Sequence, residues 1–195
     1  MSARMIHPDF LLQAYHQGIF PMGMDDGTIG WFSPDPRGVL PLEAFHAPTR
    51  LLRVMRSGRF QVTLDQDFEG VMRGCAADRD EGTWITNDIL ASYCALFRRG
   101  YAHSIEVWRE GRLAGGLYGV HLGGAFFGES MFHVETDASK VALVALVDRM
   151  RRCGFTLLDI QWVTPHLARF GAVEIPKARY LALLHEAVVL DRQLV

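Results

Sequence analysis

SIEVWREGRLAGGLYGVHLGGAFFGESMF, residues 104–132, is the stretch that decides the fold. Three runs rich in β-branched, aliphatic and aromatic residues are separated by Gly111 and by Gly123-Gly124, residues suited to tight reversals. Runs joined this closely pair antiparallel, which predicts a three-stranded meander. ASKVALVALVDRMRRCG (138–154) follows with helical apolar spacing and closes on Gly154. FTLLDIQ (155–161) is then a further apolar run of strand length. A meander, a long helix and another strand describe an α+β (mixed α/β) sandwich.

Working outward, Leu51, Leu52 and Met55 line one side of a helix from Thr49, with Arg50, Arg53 and Arg56 on the other and Gly58 as its stop. RFQVTLD (59–65) reads as a strand and 67–75 as a short helix. Thr86 or Asn87 caps a helix with the stripe Ile89, Tyr93, Leu96, Phe97, ended by Gly100. ARYLALLHEAVVL (178–190) predicts a C-terminal helix. The Gly- and Pro-rich opening, GIFPMGMDDGTIGWFSPDPRGVLPLE (18–43), favours turns and short strands. It suggests a small N-terminal domain or a lid over 1–46 and a second domain over 47–195.

With 195 residues, 49% of them hydrophobic, the chain is long enough to bury a sizeable core, and its net charge of −2 does not mark a nucleic-acid binder. Eighteen of its 20 cationic side chains are Arg. Bidentate phosphate contacts would favour that bias, and a GC-rich genome would produce it equally well. Cys75, Cys94 and Cys153 have neither the pairing nor the spacing of a disulfide framework or a zinc site. No cleavable leader and no run of about 18 apolar residues occurs. The expectation is a reduced, soluble, cytoplasmic monomer that does not engage membranes.

Four groups of residues carry candidate chemistry. Asp159 and Gln161 share one face at the carboxyl end of their strand, where ligands of open α/β sheets gather. Pattern alone slightly favours a strand tip emerging into water. Glu129 sits among Phe126, Phe127, Met131 and Phe132, so it needs a partner or a ligand; pairing with an arginine is the plainer reading. Tyr15, Phe20, Trp31, Phe32 and Trp84 offer flat surfaces for a nucleobase, or simply pack a small domain. Arg50, Arg53, Arg56 and Arg59 either contact phosphate or form a solvated face. GxGxxG, P-loop, GxSxG and HExxH patterns are missing, His133 and His166 read as structural, and no metal or cofactor is required.

The stretches AYHQGIFPM, WFSPDPRGVLPLEAFH, EGTWITNDI, AHSIEVWREGRLAGGLYGVHLGGAFFGESMFH, DASKVAL and LLDIQWVTPHLARFGAVEIPKARYL together resemble the bacterial leucyl/phenylalanyl-tRNA–protein transferases. They occur in the family order and span almost the whole chain. The resemblance implies a small N-terminal domain followed by an acetyltransferase-like (GNAT-type) domain. It implies an aminoacyltransferase that moves leucine or phenylalanine, and methionine less well, from Leu-tRNA or Phe-tRNA. The acceptor would be the N-terminal Arg or Lys of a protein, which is thereby marked for N-end-rule degradation. It places the catalytic pair on Asp159 and Gln161 and acceptor binding on Glu129. The aminoacyl-tRNA would meet Tyr15, Met22, Trp84, Leu117, Phe126 and Met131. Met22 stands where the family commonly has Trp, Arg169-Phe170-Gly171-Ala172 where it has SLGA, and Lys177 where it has Arg.

Two rival readings differ in kind. An acetyl-CoA-dependent N-acetyltransferase usually carries a Q/R-x-x-G-x-G/A loop before the long helix, and FHVETDASKVAL (132–143) has no glycine. A non-catalytic tRNA-end-binding module explains the arginines but leaves Glu129, Asp159 and Gln161 without a role.

Overall fold

The structure is a computed structural model that describes residues 5–77 and 83–195. Glu81 and Gly82 of the EGTWITNDI stretch lie outside the described residues. Helix α1 (Pro8–His16) comes first, then the hairpin β1 (Phe20–Gly23) and β2 (Ile29–Phe32), and β3 (Arg37–Val39). Next are α2 (Thr49–Arg56), β4 (Gln61–Leu64), α3 (Phe68–Ala77) and α4 (Asn87–Arg98). The meander is β5 (Ala102–Arg109), β6 (Arg112–Leu122) and β7 (Ala125–His133). Then come α5 (Ala138–Cys153), β8 (Leu157–Gln161), α6 (Pro165–Ala168), β9 (Val173–Ile175) and α7 (Lys177–Val188).

A seven-stranded sheet in the order β4-β5-β6-β7-β8-β3-β9 divides the molecule into two cores. Strand alternation distributes side chains between them. Phe127, Tyr118 and Val120 enter a core shared with Leu11, Tyr93 and Tyr180, while Phe126, Leu117 and Leu158 enter one shared with Leu51, Val141 and Phe170. The close approach of α5 depends on Gly115, where a Cβ would lie 2.7 Å from the Ala138 methyl. Any larger residue there would push the helix off the sheet.

Two features depart from the expected layout. The opening segment contains a helix: Pro8 occupies its first turn, and Leu11, Leu12 and Tyr15 face the core at helical spacing. The glycines begin only at Gly18, after the helix has ended. Strand β3, within the span 1–46 read as the N-terminal domain, lies between β8 and β9 in the large sheet.

The sheet contains one parallel pairing, β7 with β8, in register over Ala125↔Leu157, Phe126↔Leu158 and Phe127↔Asp159. Beyond it β7 runs on to His133, whereas β8 ends at Gln161. The two strands part, and the gap opens a cavity.

Candidate active site

The cavity has a volume of about 390 Å³, within the range for small-molecule sites. Its apolar depth is lined by Leu117, Met131, Leu143, Leu146, Leu158, Ile160 and Leu167. Glu129 from β7 and Gln161 from β8 face it where the strands part, and Phe20, Met22, Trp84, Trp162, Thr164 and His166 contribute further wall.

Gln161 is held in an unusual backbone conformation. Its φ is 58°, a left-handed value that an L-residue reaches at a cost of about 1–2 kcal/mol. Its N–H donates to Asp159 Oδ1 at 2.9 Å, which fixes that geometry. On the neighbouring strand only a glycine fits: a Cβ on Gly38 would lie 2.8 Å from the Trp162 carbonyl carbon. The Gln161 side chain is buried, and its Nε2 has no hydrogen-bond partner among the described residues. A buried amide nitrogen left unpaired costs about 1–3 kcal/mol unless a ligand or water pairs it.

Asp159 lies under this residue, fully buried and outside the cavity lining. Arg37 Nε donates to its Oδ1 at 2.9 Å and Arg37 Nη2 to its Oδ2 at 2.6 Å. Tyr180 adds a hydroxyl donor to Oδ2 at 2.7 Å. With the Gln161 N–H, four donors fill the roughly four acceptor sites of a carboxylate. Asp159 is therefore saturated and reaches the cavity only through Gln161. Arg37 also donates to the Gly18 carbonyl at 2.9 Å and lies 4.4 Å from the centre of the Tyr180 ring, locking three distant segments together.

Glu129 is held by phenols rather than by an arginine. Tyr15 donates to its Oε1 at 2.6 Å and Tyr93 approaches its Oε2 at 3.3 Å, while the two hydroxyls also meet each other. Two hydroxyl protons thus serve three contacts. Burial pushes the Glu129 carboxyl up to about 8, and the nearby Asp159 charge adds to this. The tyrosine hydrogen bonds and the Arg37 charge pull in the other direction.

Of the other expected site residues, Met22, Trp84, Leu117 and Met131 line the cavity. Tyr15 supports Glu129 from behind, and Phe126 is sealed in the core beneath. None of the four stripe arginines reaches the cavity lining. Arg50 pairs with Asp137 at 2.8 Å and Arg59 with Glu135 at 3.0 Å, while Arg53 and Arg56 are exposed. Sequence reading missed Arg37, Tyr93, Tyr180 and Trp162. Only the PDPRG motif hinted at Arg37, and an arginine after a proline looks like any surface cation.

Among the described residues no group of three or more His, Cys, Asp or Glu side chains could hold a metal, and no helix is long and apolar enough to cross a membrane.

Parting parallel strands over an apolar pocket, with an amide and a carboxylate at the gap, place the chain in the acetyltransferase-like fold class. A crystal structure of FemX shares that fold, with a TM-score of 0.55 at 13% identity, covering 86% of this chain and 66% of that one. The family described as leucyl/phenylalanyl-tRNA protein transferase matches residues 39–185, and that family's N-terminal domain matches residues 4–35. The leucyl/phenylalanyl-tRNA–protein transferase of Rubrobacter xylanophilus is 55% identical over 186 residues, 95% of this chain and 96% of its own. That of Nitrobacter winogradskyi is 56% identical over 187 residues, 94% and 83% respectively. The chain belongs to the leucyl/phenylalanyl-tRNA–protein transferase family, and it is an aminoacyltransferase.

Proposed function

We propose that this chain, a cytoplasmic monomer, transfers leucine or phenylalanine, and methionine less well, from aminoacyl-tRNA to the N-terminal Arg or Lys of a protein, marking it for N-end-rule degradation. The observation that carries the reading is the unpartnered Gln161 amide, facing the same apolar-floored cavity as Glu129. Family membership supports it.

The donor is an activated ester, so the enzyme has only to position, deprotonate and stabilise. The donor side chain enters the pocket between Leu117, Leu143 and Leu158. The aminoacylated 3′-adenosine spreads over Met22 and Trp84. The acceptor's α-amine, with a pKa near 8, is partly neutral already. Gln161 holds it through the side-chain amide, the oxygen accepting an N–H from the amine. The amine nitrogen attacks the ester carbonyl carbon, a C–N bond forms, and the bond to the ribose oxygen breaks. The departing ribose oxygen takes up the proton that the amine loses.

Asp159, its charge compensated by Arg37, acts as a positioning residue: it fixes the Gln161 backbone. Glu129 meets the cationic end of the acceptor, whose charge favours its ionised form. Arg53 and Arg56, left exposed, contribute to tRNA phosphate contacts, with Arg50 and Arg59 beside them. Labelled Leu-tRNA offered to peptides beginning with Arg, Lys, Asp or Ala tests the reading. Label is expected on the first two peptides only, and equal labelling of the Ala peptide would overturn it.

A further inference from the structure

His166 is a second residue of the cavity wall with an unsatisfied nitrogen. It sits on α6, which Thr164 caps by accepting the Leu167 N–H at 3.2 Å. Its ring packs against Phe170 with centroids 5.4 Å apart, and Phe170 in turn stacks on Phe45 at 5.7 Å. The imidazole is therefore held in place by core aromatics. Its Nε2 is nevertheless buried with no hydrogen-bond partner among the described residues. Burial lowers the pKa of the ring, and the charges of Lys140, Arg169 and His133 lower it further, so the imidazole is neutral near pH 7. A neutral imidazole has one acceptor nitrogen, which is Nε2 in the tautomer that carries its proton on Nδ1.

The donor brings a group that needs such an acceptor. Once its side chain occupies the apolar depth, its α-amine, on the adjacent carbon, is drawn in beside it. A buried amine left unpaired costs about 1–3 kcal/mol. Gln161 Nε2 is a donor only and the Gln161 oxygen holds the attacking amine, while Glu129 carries two tyrosine hydroxyls and meets the acceptor's cationic end. We infer that His166 Nε2 accepts a hydrogen bond from the α-amine of the aminoacyl donor and so selects donors whose α-amine is free. The inference rests on the transferase reading above. It gives His166 to the donor and leaves Gln161 to the reacting centre.

The test uses two donors, phenylalanyl-tRNA and 3-phenylpropionyl-tRNA, which differ only in the α-amine, with a peptide beginning with Arg as acceptor. The parent enzyme is expected to favour phenylalanyl-tRNA by about 10–100-fold in kcat/KM. His166→Phe keeps the ring contact with Phe170 and removes the nitrogen. It should lower the phenylalanyl reaction far more than the phenylpropionyl one, bringing the two to about the same level. His166→Gln, whose amide reaches the same place, should restore part of the preference. If His166→Phe lowers both reactions by one factor, the ring serves only to hold α6 and the inference fails. It fails equally if the parent shows no preference between the donors. A parent that transfers neither donor overturns the transferase reading as well.

Discussion

Arg37→Met removes one half of a fully buried ion pair and leaves the Asp159 carboxylate with only the Tyr180 hydroxyl and the Gln161 N–H. The loss comprises two charge-assisted hydrogen bonds to Asp159 and one to the Gly18 carbonyl, at side chains 1% and 0% exposed. Breaking a buried pair from one side costs about 3–5 kcal/mol, because an uncompensated charge stays behind. With a urea m-value of about 2–3 kcal/mol/M, the unfolding midpoint should fall by about 1–2 M. Arg37→Met/Asp159→Leu removes both charges and should recover most of that loss. Transfer should not recover, because the Gln161 N–H has lost the acceptor that fixes its left-handed backbone. Activity should remain at least about 100-fold down, the usual effect of losing one preorganised group at a reacting centre. Urea titration followed by tryptophan fluorescence, alongside leucine transfer to an Arg peptide, reads both quantities. A single variant that unfolds at the parental midpoint would refute the energetic reasoning. A double variant that transfers at the parental rate would refute the role given to Asp159.

Gln161→Gly relieves the positive φ and should raise stability by about 0.5–1 kcal/mol while transfer falls about 100-fold or more; thermal unfolding and a transfer assay would show whether the two move in opposite directions. The folded-state pKa of Glu129, about 8, lies above its usual 4.5, so its contribution to stability is complete below pH 4.5 and disappears as pH rises through 8. Glu129→Gln should therefore match the parent near pH 4 and melt higher than the parent at pH 9, and parallel melting curves across that range would contradict the assignment. Leu143→Phe fills the depth of the cavity and should reduce phenylalanine transfer more than leucine transfer, by roughly 10-fold or more, in a competition between the two charged tRNAs.

The meander, the long helix and the following strand were legible because glycines punctuate them and their apolar periods differ. The polar pair at the carboxyl end of the strand was legible because that pattern is local, but the left-handed backbone that turns Gln161 into the cavity and leaves Asp159 outside it was not. Nor was their division of labour. Arg37 lies 122 positions from Asp159, on a three-residue strand too short to declare itself, and only tertiary pairing brings them together. Glu129 invited an arginine partner because the chain has so many; α1 and α4 instead supply phenols, which no local pattern announces. The opening helix was hidden by the glycines and prolines that follow it. Arg50, Arg53 and Arg56 fall on α2 as read, while Arg59 lies beyond its end, and Asp137 and Glu135, which pair with Arg50 and Arg59, are remote in sequence.

The brace of Gly18, Arg37, Asp159 and Tyr180 also bears on the timing of synthesis. Ribosomes deliver the chain from its N-terminus, and early segments collapse before late ones appear. Here α7 contributes the hydroxyl that completes the acceptor set of Asp159, so the brace cannot be assembled on a nascent chain, or one terminated early, that lacks Tyr180. Such fragments, although they contain both Asp159 and Gln161, would be catalytically silent.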